Sequence, residues 1–506
     1  WIERLGRPED HAEMLAHHYS SALELARAAG ADTSALETRA RLAFHEAGDR
    51  AFALGAYPAA RRFYAAAVAT WPDNDPALAE LLLRYGRVLN NTDIRSAPDV
   101  LTAARDRLLA AGANGKAAEA ETLLCETYWL HGQRDKAFEH LEAAQPLVEN
   151  EPSSYSKAYV VANVSRFWML AGDSERAIRY GTDALAMADE LGLDELRAHA
   201  LDNVGTTRLS IGDHQGFAEI EQSIELAVAS NSVEAARAYG NYASSLNAFG
   251  ELDRASAMLD EARRIARRFG LADWLRWLEG EAVWPLYEQG DWDEASRRLD
   301  ELIDDFTRYP FWMETPCRWL RGRMRLARGD VSGARQDAER ALELARAAKD
   351  PQVVWPALAF CARVIVDADP ARAARLLDEA LAGWEAQRCG LMAEGEWMRD
   401  AAVVIPRVGR EVRFLDGAAS GPQSTPWRRA AVAYVSGDPA TAADVYAEIG
   451  TGPGEAYARL QAARKLVEEG RRAEADAQLG RALAFWRSVG AAAYVREGEA
   501  LLAASA

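Results

Sequence analysis

The sequence predicts an all-α protein built as a right-handed superhelical solenoid of helix-turn-helix repeats. Three observations carry that prediction. Ala, Leu, Arg and Glu dominate the 506 residues, and all four favour helix. A Gly that closes one Ala/Leu-rich run and precedes another recurs along most of the chain. Its period of about 38–40 residues is that of stacked helix pairs, so roughly 10–12 pairs are expected.

The stretch "LAGDSERAIRYGTDALAMADELG", from Leu170 to Gly192, shows one unit. Alone, its Gly-Asp pair could open a binding loop. Its copies, such as "AFGELDRASAMLDEARRIA" and "EQGDWDEASRRLDELIDDF", make it a helix stop followed by a helix start. The anchoring glycines are Gly55, Gly132, Gly172, Gly212, Gly250, Gly290, Gly329, Gly437 and Gly470. From Gly132 to Gly329 the steps are 40, 40, 38, 40 and 39 residues. The gap of 77 after Gly55 fits two units, the second degraded around "VLNNTDIRSAPDVLTAA". A unit without its Gly fits "VIVDADPARAARLLDEALAGW", with Ala373, Leu377 and Ala380.

Each residue type in the unit has a physical task. Gly ends the first helix in the left-handed region, where a Cβ is costly. The Asp or Ser beside it caps the second helix. Ala177, Ala255, Ala295 and Ala334, five residues past their glycines, let two helices approach closely. Leu141, Leu259 and Leu299 fall four residues later on the same face. Between Glu394 and Trp427 the period fails, and "FLDGAASGPQSTPW" reads as an exposed loop or hinge before the final repeats.

Composition narrows the function. With 49% hydrophobic and 27% charged residues the chain is folded rather than disordered. A net charge of -18 and the lack of a basic run argue against direct nucleic-acid binding. No apolar stretch is long enough to predict a membrane span. No leader is visible, and a chain opening on Trp1 is expected to be a fragment or a processed product. Cys125, Cys317, Cys361 and Cys389 are too widely spaced for a Cys-x-x-Cys motif and read as buried thiols in a reducing cytoplasm.

Motifs of chemistry are missing. "AAGANGKAA" lacks the first Gly and the Ser/Thr of a phosphate loop. "GDSE" offers Asp173 and Glu175 without the alternating ligands of a calcium loop. His11 and His18 share one helix face two turns apart, with no further metal ligand beside them. No catalytic residue and no metal ligand is therefore assigned.

The unit resembles the tetratricopeptide repeat, most closely at Gly48, Gly55, Tyr57, Ala60, Tyr64, Ala67 and Pro72. Later units run longer and end in extensions such as "MADELG", a variety similar to the sensor arms of bacterial signal-transduction ATPases. The start, "WIERLGRPEDHAEMLAHHYSSALELARAAGAD", resembles the segment linking an ATPase module to its repeat arm. The end, "AEADAQLGRALAFWRSVGAAAYVREGEALLAASA", resembles the C-terminus of actinobacterial proteins that join a class III adenylate/guanylate cyclase domain, an AAA-type (STAND) ATPase and tetratricopeptide repeats.

This resemblance implies a non-catalytic, cytoplasmic sensor and protein-interaction arm. It implies a linker over residues 1–38, a solenoid over 39–393, the irregular hinge over 394–427 and final repeats over 428–506. No cofactor is expected in this chain; ATP and Mg would belong to upstream modules of a parent protein. A LuxR-type regulator arm and a free-standing adaptor are the alternatives.

In tetratricopeptide arrays the first helix of each unit lines an inner groove, at positions about 13, 10, 6 and 3 before the Gly. The resemblance therefore implies groove positions at Trp277, Trp284 and Tyr287, with Arg237 and Asn247 from the unit before and Trp319 and Arg323 from the unit after. Arg166, His199 and Asp202, and before them Trp129, continue the same channel. An aromatic wall flanked by Arg, Asn and His suits an extended peptide, a partner helix or a flat small ligand. Ordinary core packing of the same rings is the competing expectation. Pro285 should kink its helix, and Pro356, nearer a helix start, should disturb less.

Overall fold

The protein is described by a computed structural model over residues 11–422 and 424–504. Gly172 shows how the chain is punctuated. Its φ of +78° ends one helix, and the next amide, Asp173 N, donates back to Trp168 O at 2.9 Å, the long bond of a Schellman cap. The Asp173 carboxylate then accepts from Arg176 N at 3.0 Å and starts the next helix. All nine anchoring glycines have φ between +71° and +95°, and the residue after each makes the same backward bond.

Among the described residues the elements run from α1 (Ala12–Ala28) to α27 (Ala492–Ala504), all helical. From α2 (Ser34–Ala53) to α26 (Arg472–Ser488), counting α14 (Ala272–Glu281) and α15 (Val283–Gln289) as one broken helix, they make twelve pairs. The chain is a tetratricopeptide-like helical solenoid. The unit without its Gly is present as α19 (Pro351–Ile365) and α20 (Pro370–Ala386), where Asp369 caps α20 by accepting from Arg372 N at 2.9 Å. The small residues sit where helices touch: Ala177, Ala295 and Ala334 are fully buried, and Leu141 and Leu299 lie beside them in the core. The four cysteines are buried free thiols.

Successive turns of the superhelix touch. Ile94 N donates to Asp273 Oδ2 at 2.9 Å, 179 residues away, and Trp427 Nε1 donates to Asn247 O at 2.8 Å, 180 residues away. Trp312 N donates to Leu130 O at 3.1 Å, and Leu391 N to Ser210 O at 2.8 Å. One superhelical turn therefore takes about 180 residues, and the inner channel is closed from the side by the next turn.

Pro285 breaks its helix. It has no N–H to give the carbonyl of Glu281, and the helix divides at Ala282. Pro356 lies inside α19 without a break, one turn from its start.

The segment 394–427 is not an irregular hinge. Among the described residues it holds α21 (Glu394–Val408) and α22 (Glu411–Ser420), with non-helical backbone at 409–410, 421–422 and 424–425. α21 is buried on nearly every side. Gly417 does not loosen the chain: a Cβ there would stand 2.7 Å from the Trp384 ring, so glycine permits close packing of α22. The opening segment, Trp1 to Asp10, lies outside the described residues. No helix among the described residues is long and apolar enough to cross a membrane.

Candidate ligand-binding cavity in the superhelix channel

The channel is hollow in places. A cavity of about 210 Å³ is walled by Trp129, Arg166 and Arg237 from one superhelical turn and by Trp274, Trp277, Glu281, Trp312, Asp350 and Met392 from the next. Four of the sequence-derived positions, Trp129, Arg166, Arg237 and Trp277, meet there. Trp274 and Trp277 stand edge to face with centroids 5.9 Å apart, and the Arg166 guanidinium lies 6.0 Å from the Trp274 ring. The cavity exists because the helices lining it differ in bulk. Gly240 accepts the Trp277 ring, which a Cβ would meet at 2.5 Å, so the ring lies back against α12 (Glu234–Ala248) and leaves space before it.

The remaining positions separate. His199 and Asp202 are buried behind the wall and hold Arg237 in place. Arg237 Nη1 pairs with Asp202 Oδ2 at 2.7 Å, and its Nη2 donates to His199 O at 3.1 Å. Asn247 and Trp284 line a second cavity of about 350 Å³, on the other side of Glu281. Tyr287 and Arg323 border a third, of about 30 Å³, deeper in the channel. Trp319 is 2% exposed and packed in the largest hydrophobic core, so it corrects the expectation of a groove position. The aromatic cluster is thus partly wall and partly core: Trp292, for one, is buried with its ring stacked on Tyr287 at 5.4 Å.

The basic groups of the wall are already neutralised. Arg166 Nη1 pairs with Glu126 Oε1 at 2.7 Å, and Asn90 donates to the other oxygen of Glu126 at 2.7 Å. Arg237 is shared between Asp202 and Glu234, the latter at 2.8 Å. Burial works against the Glu234 charge, yet Arg237 and His199 hold its carboxyl well below the usual range. Burial, helped by the Arg237 charge, lowers His199 and keeps it neutral.

The acids are less well served. Burial raises the Asp350 carboxyl to about 6, although it caps α19 by accepting from Gln352 N at 2.9 Å. Burial, then the nearby Glu396 charge, pushes Glu281 up to about 7. Glu281 has no ion-pair partner among the described residues, and part of its surface opens to the cavity.

Sequence reasoning missed Glu281 and Asp350 as wall residues. Glu281 falls one residue beyond a groove position and is turned inward where Pro285 breaks the helix. Asp350 reads as a helix cap, and only the closure of the superhelix brings it to the cavity.

The cavity offers flat rings and fixed charges. Among the described residues no three His, Cys, Asp or Glu side chains cluster to hold a metal.

Comparison with protein-family models found no match, and comparison with curated proteins found none. Solved structures with similar chain paths include a Rap protein complexed with competence and sporulation factor, 12% identical, TM-score 0.40, covering 82% of this chain and 99% of that one. A Rap conjugation gene regulator of plasmid pLS20 with the Phr* peptide is 12% identical, TM-score 0.43, covering 73% and 97%. A signal-transduction ATPase with a tetratricopeptide repeat sensor from Pyrococcus horikoshii is 14% identical, TM-score 0.35, covering 70% of this chain and 52% of that one. The fold assignment rests on the helix pairs themselves.

Proposed function

We propose that the chain is a non-catalytic sensor and interaction arm whose inner channel receives a ligand or a segment of a partner protein. The observation that carries this reading is the aromatic cavity between two superhelical turns that are hydrogen-bonded to each other. A group entering it touches both turns at once. Its binding energy therefore acts on the closure of the superhelix, and small changes at successive units add along a solenoid.

By the sequence resemblance, the arm belongs to a cytoplasmic signalling ATPase of the cyclase-linked kind, and closure would be read by an upstream nucleotide-binding module. ATP and Mg would be bound there. A LuxR-type regulator would use the same arm to govern a DNA-binding module instead.

Amide hydrogen exchange tests the mechanism. Compounds or partners that change the tryptophan fluorescence of the arm are expected to slow exchange at Trp312 N and Leu391 N, the two inter-turn donors nearest the cavity. Trp277→Ala should abolish that protection. A saturating ligand that leaves both amides unchanged refutes the coupling of occupancy to closure.

A further inference from the structure

We infer that the cavity takes an organic cation: an ammonium group on a compact apolar body, with Glu281 as its counter-charge and the rings of Trp129, Trp274 and Trp277 as its faces. This inference deepens the reading above and rests on it.

The charge pattern of the wall selects the class. Four carboxylates, Glu126, Asp273, Glu281 and Asp350, border the cavity against two guanidinium groups, Arg166 and Arg237. Both guanidiniums are engaged by Glu126, Asp202 and Glu234, so neither is free to receive an anion. Asp273 accepts from Ile94 N and lies 3.5 Å from Arg276, and Asp350 caps a helix. Glu281 has the Trp277 side chain as a hydrogen-bond donor but no ion pair among the described residues, and Glu396, the carboxylate that raises it, has no ion pair there either.

An anionic ligand would meet this field with nothing to offset it. A neutral apolar ligand would fill the space between the rings and leave the Glu281 carboxylate, held only by the Trp277 side chain, desolvated and without a counter-charge. A cation satisfies both features, since tryptophan faces attract it and the carboxylate neutralises it. The cavity volume, about 210 Å³, suits a compact amine or the amino end of a peptide.

The groups facing Glu281 bear on its titration. They are Trp277 on its own helix, Cys317 of α17 (Glu314–Arg328), Glu396 of α21, across the first cavity the acids and guanidiniums named above, and across the second Glu251, Asp253, Arg254, Glu288 and Glu448. Of these only Arg166, Arg237 and Arg254 carry positive charge, and all three are paired, Arg254 with Glu251 at 2.5 Å. Protonation of Glu281 therefore removes the anchor, and cation binding weakens as pH falls below about 7.

The test is a fluorescence titration of the whole chain at pH 8 with benzyltrimethylammonium, its neutral carbon isostere and phenylacetate. The cation should bind at least about tenfold more tightly than the other two, the scale of one charge-assisted contact. Glu281→Gln should reduce cation affinity by about the same factor and leave the neutral isostere unaffected. Titration at pH 6 should reproduce the effect of that substitution in the parent chain.

A short peptide with a free amino terminus, beside its acetylated form, identifies the source. Tighter binding of the free peptide than of benzyltrimethylammonium assigns the cation to a peptide, and the reverse assigns it to a small amine. Equal or tighter binding of the isostere or of phenylacetate overturns the cationic class while leaving the cavity as a binding site. No binding of any probe overturns the cationic class too, and the exchange experiment above then judges the sensor reading separately.

Discussion

Glu281 is the residue at which stability and recognition diverge. An ordinary Glu in an unfolded chain ionises near 4.3, whereas burial and Glu396 raise this one to about 7. Between those values the folded chain keeps a proton that the unfolded chain has released. The contribution of this group to stability therefore falls as pH rises from about 4.5 to about 7, and it stays low above that. Glu281→Gln removes the penalty. At pH 8 the variant should be more stable than the parent by about 1–3 kcal/mol, and near pH 5 the two should agree within about 0.5 kcal/mol. Urea denaturation at both pH values measures this, and a difference independent of pH counts against an ionising Glu281 as its origin. A residue that costs stability and faces a cavity is one expected of a binding site rather than of a core. Its neighbour Trp277 was legible through the repeat resemblance, which puts groove positions at a fixed interval before each Gly. Glu281 was not, because its inward turn depends on the helix break.

At the scale of elements, helix ends were the most legible feature of the chain. Nine glycines announced nine helix stops, and each carries the same left-handed cap and backward hydrogen bond. The least legible element was α21, which no anchoring Gly announced and which is buried on nearly every side. The break between α14 and α15 was legible through Pro285, and its consequence was not: it sets Glu281 between two cavities. Pro285→Ala restores an N–H for the Glu281 carbonyl, so residues 272–289 are expected to form one continuous helix. Helical circular dichroism should rise slightly, and thermal stability should change by no more than about 1 kcal/mol, since tertiary packing opposes the straightening. Fluorescence response to cavity ligands should be lost as Glu281 turns away. A variant that keeps the full ligand response would show that the break does not shape the site.

For the whole molecule, repeat periodicity implied a solenoid but carried no information on how tightly it winds. Curvature is a sum of small rotations at many interfaces, and only the assembled chain reveals that one turn meets the next. The strongest such meeting is a buried network deep in the channel. Arg399 Nη2 pairs with Glu288 Oε1 at 2.8 Å, Arg399 Nη1 donates to Thr451 Oγ1 at 2.9 Å, and Thr451 also donates to Glu288. All three side chains are buried, and Thr451 lies 163 residues from Glu288. An open array unfolds piecemeal because each unit contacts only its neighbours. Ties of this length instead make the opening of the C-terminal units raise the free energy of the middle ones, so the two regions should open together. Replacing the ion pair as a set, Glu288→Gln with Arg399→Met, avoids leaving one charge buried alone, which by itself would cost about 3–5 kcal/mol, and keeps Thr451 as the cap of α25 (Gly452–Glu468), where it accepts from Gly454 N. The double variant is expected to fold. Its hydrogen exchange should divide into separate classes, with α25 and α26 opening at lower free energy than α15 and α16 (Trp292–Arg308). In the parent chain these helices should exchange as one class. If parent and variant show the same division, the turns touch without being energetically coupled, and closure could not transmit an event in the cavity to the ends of the arm.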